Sequence, residues 1–196
     1  MIQEHTLQTP SGPLHYLEAG DNGPVVVLLH GKAFQAETWR ETGTLEYLAG
    51  QGFHCLALDM PGFGKSPAGS ADFLEVLQLF FAGTGVSEPV LLGPSMGGGI
   101  ALEYALTAAG TLRGLILVGA VRVVENASRL ASLSLPTLVI WGSEDTISPP
   151  SSADLLEREV RGAVKVILQG APHPCYLDQP QRFNETVGTF LQGLLG

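Results

Sequence analysis

Apolar residues along this chain come in short dense runs, punctuated by glycine and proline, with helical patterns between the runs. Pro24–His30 (PVVVLLH), Phe53–Asp59, Pro89–Gly93, Leu112–Gly119, Pro136–Gly142 (PTLVIWG) and Ala163–Gln169 are apolar or β-branched over most of their length. Runs of that kind predict strands covered on both faces. Thr6–Gln8 and Leu14–Ala19, joined through Pro10-Ser11-Gly12, predict an antiparallel hairpin at the start. Helical patterns fall at Glu37–Ala49, Ala71–Phe81, Met96–Ala108, Ser151–Val160 and, as a short turn, Asn126–Leu133. The closing Gln181–Leu195 is amphipathic, with Phe183, Val187, Phe190 and Leu194 near helical spacing on one face.

Parallel strands need crossovers, and the alternation supplies a helix for most of them. The expected architecture is α/β: a doubly wound, mostly parallel sheet with antiparallel N-terminal strands. Its length of 196 residues suits one domain over 1–196. There is no internal repeat, linker or low-complexity segment. In such a sheet, ligands sit beyond the carboxyl ends of the strands, so the residues after each strand carry the chemistry.

Composition narrows the partners. Ten basic residues stand against 19 acidic ones, for a formal net charge of −9, and no Lys or Arg run occurs. Nucleic acid and anionic membrane surfaces are therefore unexpected partners. The start, MIQEHTLQTP, has neither a basic nor an apolar leader region, and no apolar run is long enough to span a bilayer. Cys55 and Cys175 make no disulfide framework. Free thiols without a leader predict a cytoplasmic setting.

The stretch Leu91–Leu106, LLGPSMGGGIALEYAL, reads as strand, glycine-rich turn and helix. A dinucleotide fingerprint fails there, because its second glycine would fall at Ser95. The Gly64-Lys65-Ser66 sequence is not a Walker A loop, because Asp59 occupies the required glycine position. What fits is G-x-S-x-G, with Gly93, Ser95 and Gly97. A serine at a sharp strand-to-helix turn needs glycine two residues to either side, since side chains there would collide. The turn exposes the hydroxyl and places the Met96 amide at a helix N-terminus, where it can face an oxyanion. The competing reading is a glycine-rich turn that packs a helix close to a strand.

A nucleophilic serine needs a base, and the base an orienting acid. Of five histidines only His173 follows Ser95, and it sits just after the last predicted strand. The acid is expected after PTLVIWG, where Asp145 fits G-x-x-D with Pro149 close behind, and Glu144 is the alternative. Asp59 also ends a strand but precedes the serine, so it reads as a loop-shaping carboxylate. The second oxyanion donor is expected from the His30-Gly31-Lys32 turn, as the backbone N–H of Lys32, with His30 structural.

With these residues placed, LLHG, ALDMPGFGKS, GPSMGG, WGSEDTISP and APHPCYLDQP together resemble the α/β-hydrolase fold superfamily over nearly the whole chain. FQAETWRETGTLEYLAGQGF and HPCYLDQP look most like its small capless group, α/β-hydrolase domain-containing protein 14. The resemblance implies a triad of Ser95, Asp145 and His173 and esterase activity on small activated acyl esters, without metal or cofactor. It also implies acyl transfer, with lysine deacetylation to coenzyme A proposed for the animal member. The nucleophile turn is richer in glycine than that group's. Sixteen residues separate Gly119 from Pro136, room for one short helix and not for a cap domain. An open, shallow site is expected, with Phe34, Trp39, Met96, Val121, Ile147 and Tyr176 as candidate lining residues and core packing as the competing role for each. A non-catalytic interaction protein on this scaffold is the remaining alternative, and the oligomeric state is not predicted.

Overall fold

In the computed structural model, which describes residues 1–195, eight strands form one sheet in the order β1-β2-β4-β3-β5-β6-β7-β8. The strands are β1 (Ile2–Thr9), β2 (Gly12–Ala19), β3 (Val25–Leu28), β4 (His54–Leu58), β5 (Val90–Pro94), β6 (Gly114–Val118), β7 (Thr137–Gly142) and β8 (Val164–Leu168). β1 pairs antiparallel with β2, and β2 with β4; every pairing from β4 through β3 to β8 is parallel. This is the α/β-hydrolase fold, and the hairpin strands are longer than their sequence pattern predicts.

The dense apolar runs follow from two buried faces. Along β3, β5, β6 and β7, Val27, Leu91, Leu115, Leu117, Val139 and Trp141 point to one core. Their neighbours Val26, Leu28, Leu92, Ile116, Val118 and Ile140 point to the other. Period-2 alternation with a helix layer on each side leaves no polar face.

On the first face lie α3 (Phe73–Thr84), α4 (Met96–Ala108) and α5 (Ser151–Glu159), through Val76, Phe80, Ala101 and Leu156. On the second lie α1 (Glu37–Glu41), α2 (Thr44–Gly50), α6 (Cys175–Asp178) and α7 (Pro180–Gly193), through Trp39, Leu48, Tyr176 and Phe183.

Several boundaries differ from the sequence pattern for local reasons. The helix expected over Glu37–Ala49 is two helices, because Gly43 turns left-handed at φ 69° between them. α3 starts after Asp72, whose carboxylate caps the Leu74 and Glu75 N–H groups at 2.9 Å each, and stops at left-handed Gly85. The segment between β6 and β7 holds a 3-10 turn, Ala127–Ser132, and no inserted cap. α6 has no counterpart in the predicted pattern. The buried seam of α7 runs Phe183, Val187, Leu191, while Phe190 and Leu194 are half-buried at its flank.

Candidate active site

β5 delivers the chain to Ser95, which has φ 49° and ψ −113°, and α4 starts at the next residue. Positive φ in a non-glycine residue costs on the order of 1–3 kcal/mol and persists only where surroundings over-determine it. Here the Ser95 N–H donates to the Val118 carbonyl at 2.9 Å, and its carbonyl accepts from Gly99 at 2.9 Å and Val121 at 3.2 Å. The glycines have distinct steric duties. A Cβ on Gly93 would collide with the Gly97 carbonyl, and one on Gly97 would stand 2.7 Å from the His30 carbonyl oxygen. One on Gly98 would stand 2.6 Å from Ala120 Cβ. The turn therefore presses the start of α4 against β3 and β6 at once.

Two loops on the β7–β8 side reach the serine. His173 Nε2 lies 2.8 Å from Ser95 Oγ, and His173 Nδ1 lies 2.7 Å from Asp145 Oδ2. A carboxylate can only accept, so Nδ1–H donates to Asp145 and Nε2 accepts from the Ser95 hydroxyl. Asp145 is buried, and its other oxygen accepts the Ile147 N–H at 2.9 Å and the Ser148 N–H at 2.8 Å. Ser148 Oγ in turn donates to the Ala120 carbonyl at 2.7 Å, tying this loop to β6. Gly119, at φ 50°, leaves room for the pair: its Cβ would lie 3.0 Å from Asp145 Oδ2 and 3.2 Å from His173 Nδ1. Glu144 is exposed, and its N–H holds the Ala171 carbonyl at 3.0 Å.

The loop after β3 forms the opposite wall. Gly31 abuts the serine, since a Cβ there would sit 3.7 Å from Ser95 Cβ. Lys32 lies in a turn closed by Phe34 N–H donating to the Gly31 carbonyl at 3.0 Å. Met96 is the first residue of α4, so its N–H has no acceptor within the helix.

The ring of His30 is buried behind that loop. Its Nε2 accepts the Met60 N–H at 3.1 Å, so the proton resides on Nδ1 and is donated to the Gly31 carbonyl at 2.9 Å. Burial holds this imidazole below the usual histidine range, against the opposing pulls of the Gly31 carbonyl and the Asp59 carboxylate. Asp59, also buried, accepts Ala36 N–H at 2.6 Å, Lys65 N–H at 2.9 Å and His15 Nδ1–H at 2.7 Å. It thereby ties the loop carrying Lys32 to the end of β4. The sequence reads Asp59 as a loop-shaping carboxylate without naming its partners; those come from β2 and two separate loops.

The candidate lining residues part company. Trp39 is wholly buried, donates Nε1–H to the Leu29 carbonyl at 3.0 Å and stacks on Phe183, so it is core and lines no cleft. Tyr176 is buried beside it with ring centroids 5.1 Å apart, and half-buried Phe34 meets Tyr176 edge-on at 6.1 Å. These aromatics form a floor beneath Gly31. Ile147 is 67% exposed and contributes its backbone N–H to Asp145. Met96 and Val121 are half-buried and border a cavity beside α4.

Neither cysteine competes as a nucleophile. Cys55 and Cys175 are buried, and loss of solvent pushes both thiols up to about 12. Among the described residues, no helix is long and apolar enough to cross a membrane.

Residues 24–128 match the family model of the alpha/beta hydrolase fold. The zebrafish protein ABHD14A is 37% identical over 176 residues, 86% of this chain and 64% of its own. The human relative named "Putative protein-lysine deacylase ABHD14B" is 33% identical, covering 98% of this chain and 96% of its own. In structure, a "predicted CIB-like hydrolase" from Thermoplasma acidophilum superposes with TM-score 0.93 at 24% identity, over 98% of this chain and 99% of that one. Carboxylesterase CesB from Bacillus subtilis gives 0.87 at 19% identity, over 98% and 92% of the two chains. The two structural likenesses speak for the fold, and the sequence relatives for the lineage. The chain belongs to the α/β-hydrolase fold family and to the ABHD14 group within it.

Proposed function

We propose that this protein is a serine hydrolase that cleaves small carboxylic esters through an acyl-enzyme on Ser95. One observation carries the reading: a continuous hydrogen-bonded line, Ser95 Oγ to His173 to Asp145, at a strained strand-to-helix turn. His173 Nε2 takes the hydroxyl proton as Oγ attacks the ester carbonyl carbon. The Met96 and Lys32 N–H groups stabilise the oxyanion, each worth about 3 kcal/mol in sites of this kind. The C–O bond to the alcohol breaks, and His173 returns the proton to the departing oxygen. Water, deprotonated by the same imidazole, then attacks the acyl carbon; the bond to Ser95 Oγ breaks, the acid leaves and His173 returns the proton to Oγ. Asp145 holds the imidazole tautomer and stabilises its cationic form. The chain is read as one domain, acting without cofactor on a small molecule, in the cytoplasm.

A fluorophosphonate probe tests the nucleophile directly. Covalent modification mapped by peptide mass spectrometry to Ser95, and lost in Ser95→Ala, is the expected outcome. An unmodified Ser95 in folded protein would revive the reading as a non-catalytic interaction protein.

A second reading, a deacetylase or acyltransferase that passes the acyl group to a thiol or amine acceptor, is favoured by the deacylase name carried by a relative of matching length. Product analysis with saturating thiol or amine acceptor separates the two. Acid alone means hydrolysis, and an acceptor adduct means transfer.

A further inference from the structure

We infer that the Tyr176 hydroxyl is a third hydrogen-bond donor to the substrate's carbonyl oxygen, beside the proposed Lys32 and Met96 donors; this rests on the proposal that Ser95 attacks an ester. Tyr176 is 2% exposed, and its ring is held on three sides. Between ring centroids, Trp39 lies 5.1 Å away, Phe183 5.9 Å and Phe34, edge-on, 6.1 Å. Packing of this kind fixes the direction of the phenol oxygen without giving it a partner.

Other buried polar tips in this layer are satisfied. Trp39 Nε1–H donates to the Leu29 carbonyl at 3.0 Å, and Thr44 Oγ1–H to Asn184 Oδ1 at 2.8 Å. Among the described residues the Tyr176 hydroxyl has no hydrogen-bond partner, yet it is not sealed in. The closed-off side-chain polar atoms without a partner are His5 Nε2 and His15 Nε2. A buried phenol that bonds nothing in the protein and keeps an opening is placed to serve a ligand. Burial pushes this phenol above its ordinary value, so it stays protonated and able to donate through the neutral range.

The surroundings of Gly31 show where the hydroxyl opens. A Cβ built on Gly31 would lie 3.7 Å from the Tyr176 hydroxyl oxygen, 3.7 Å from Ser95 Cβ and 3.2 Å from Phe34 Cδ2. The hydroxyl and the serine thus flank one point, with Phe34 on its third side. Gly31 is not among the left-handed residues, so its backbone alone does not call for glycine. A side chain there would fill the space between hydroxyl and serine. Gly31 directly precedes Lys32, and the sheet order puts both on the β3 side of β5. Asp145 and His173 arrive from the opposite side, after β7 and β8. A carbonyl oxygen turned toward the Lys32 N–H therefore turns toward the hydroxyl as well. Tyr176 lies in the single turn of α6, closed by the Leu177 N–H on the Pro174 carbonyl at 2.9 Å, so one short segment carries both the base and this donor.

Tyr176→Phe tests this, because it removes one oxygen and keeps the ring. No hydrogen bond within the protein is lost, so the urea midpoint should match the wild type. For p-nitrophenyl acetate, kcat should fall by about tenfold to a hundredfold with KM within about twofold, because the bond strengthens as the oxygen becomes an anion. The same loss is expected for p-nitrophenyl butyrate, since the contact is to an oxygen that all esters share. A trifluoromethyl ketone, whose adduct with Ser95 carries an oxyanion, should bind the variant about tenfold or more weakly. Wild-type kcat in folded Tyr176→Phe, or a loss confined to KM, overturns the donor assignment and leaves the hydrolase reading standing. A kcat loss accompanied by a lowered urea midpoint makes Tyr176 a packing residue and overturns it too. A wild-type protein that turns over no ester and takes no fluorophosphonate on Ser95 overturns both readings.

Discussion

Gly97 rests directly on the backbone of His30: a Cβ added to it would stand 2.7 Å from the His30 carbonyl oxygen and 2.9 Å from Leu29 Cβ. This contact sets the spacing between the nucleophile turn and the loop that carries Lys32. Gly97→Ala should force them apart. We expect a stability loss of about 1–3 kcal/mol, typical of overpacking, and a fall in kcat of tenfold or more. Urea denaturation and p-nitrophenyl acetate kinetics read the two effects, and full activity would detach Gly97 from the site's geometry.

Ser95→Ala removes the proposed nucleophile while leaving every backbone hydrogen bond of the turn. Esterase activity should fall by about 10⁴-fold or more, as for other triad deletions, with the circular dichroism spectrum unchanged. A variant retaining wild-type turnover sinks the assignment.

The two carboxylates after β7 give contrasting outcomes. Asp145→Asn keeps the shape but lets the side-chain amide disfavour the required His173 tautomer, so kcat should drop by about 10⁴-fold. Glu144→Gln, altering an exposed side chain, should be neutral within twofold. The reverse pattern would reassign the acid.

Asp59 gathers three donors on one buried carboxylate. Asp59→Asn keeps one acceptor oxygen and adds a donor facing the Lys65 N–H and the His15 ring. Unfolding should become easier by about 1–3 kcal/mol, with kcat falling more than KM rises, because the displaced loop carries Lys32, the proposed oxyanion donor. A variant that loses stability with unchanged kcat would limit Asp59 to a scaffold role.

His30 makes stability sensitive to acid. Its imidazole is neutral in the fold and titrates below the usual histidine range, so the unfolded chain binds its proton first as pH falls. Its contribution is complete above about pH 6.5. It declines as pH drops toward the lowered folded value, with a slope of at most about 1.4 kcal/mol per pH unit. Asp59 faces the ring and opposes this shift. The test is therefore a difference. Urea midpoints at pH 7 and pH 5 should diverge less in His30→Gln than in the wild type, and an equal divergence would remove His30 from the account.

The fold was legible because its signals are local. Buried strands between two helix layers must be apolar at nearly every position, and Val25–Leu28 or Leu138–Trp141 announce that burial on their own. Glycines at 93 and 97 bracket Ser95 for a steric reason, and chain order singles out Asp145 and His173 as its expected partners. The residues themselves therefore specify the sheet, the sharp turn and the chemical types after each strand. What only the tertiary structure decided concerns groups distant in sequence. Trp39 and Ile147 look equally suited to a pocket wall, yet packing against Phe183 buries the first and leaves the second outside. Asp59 acquires its partners from β2 and two loops, and the groove beside Met96 exists because α3, α4 and the Val121–Arg122 turn meet there. Side-chain identity states what a residue can bond. Its neighbours across the fold decide whether it faces solvent, core or cleft.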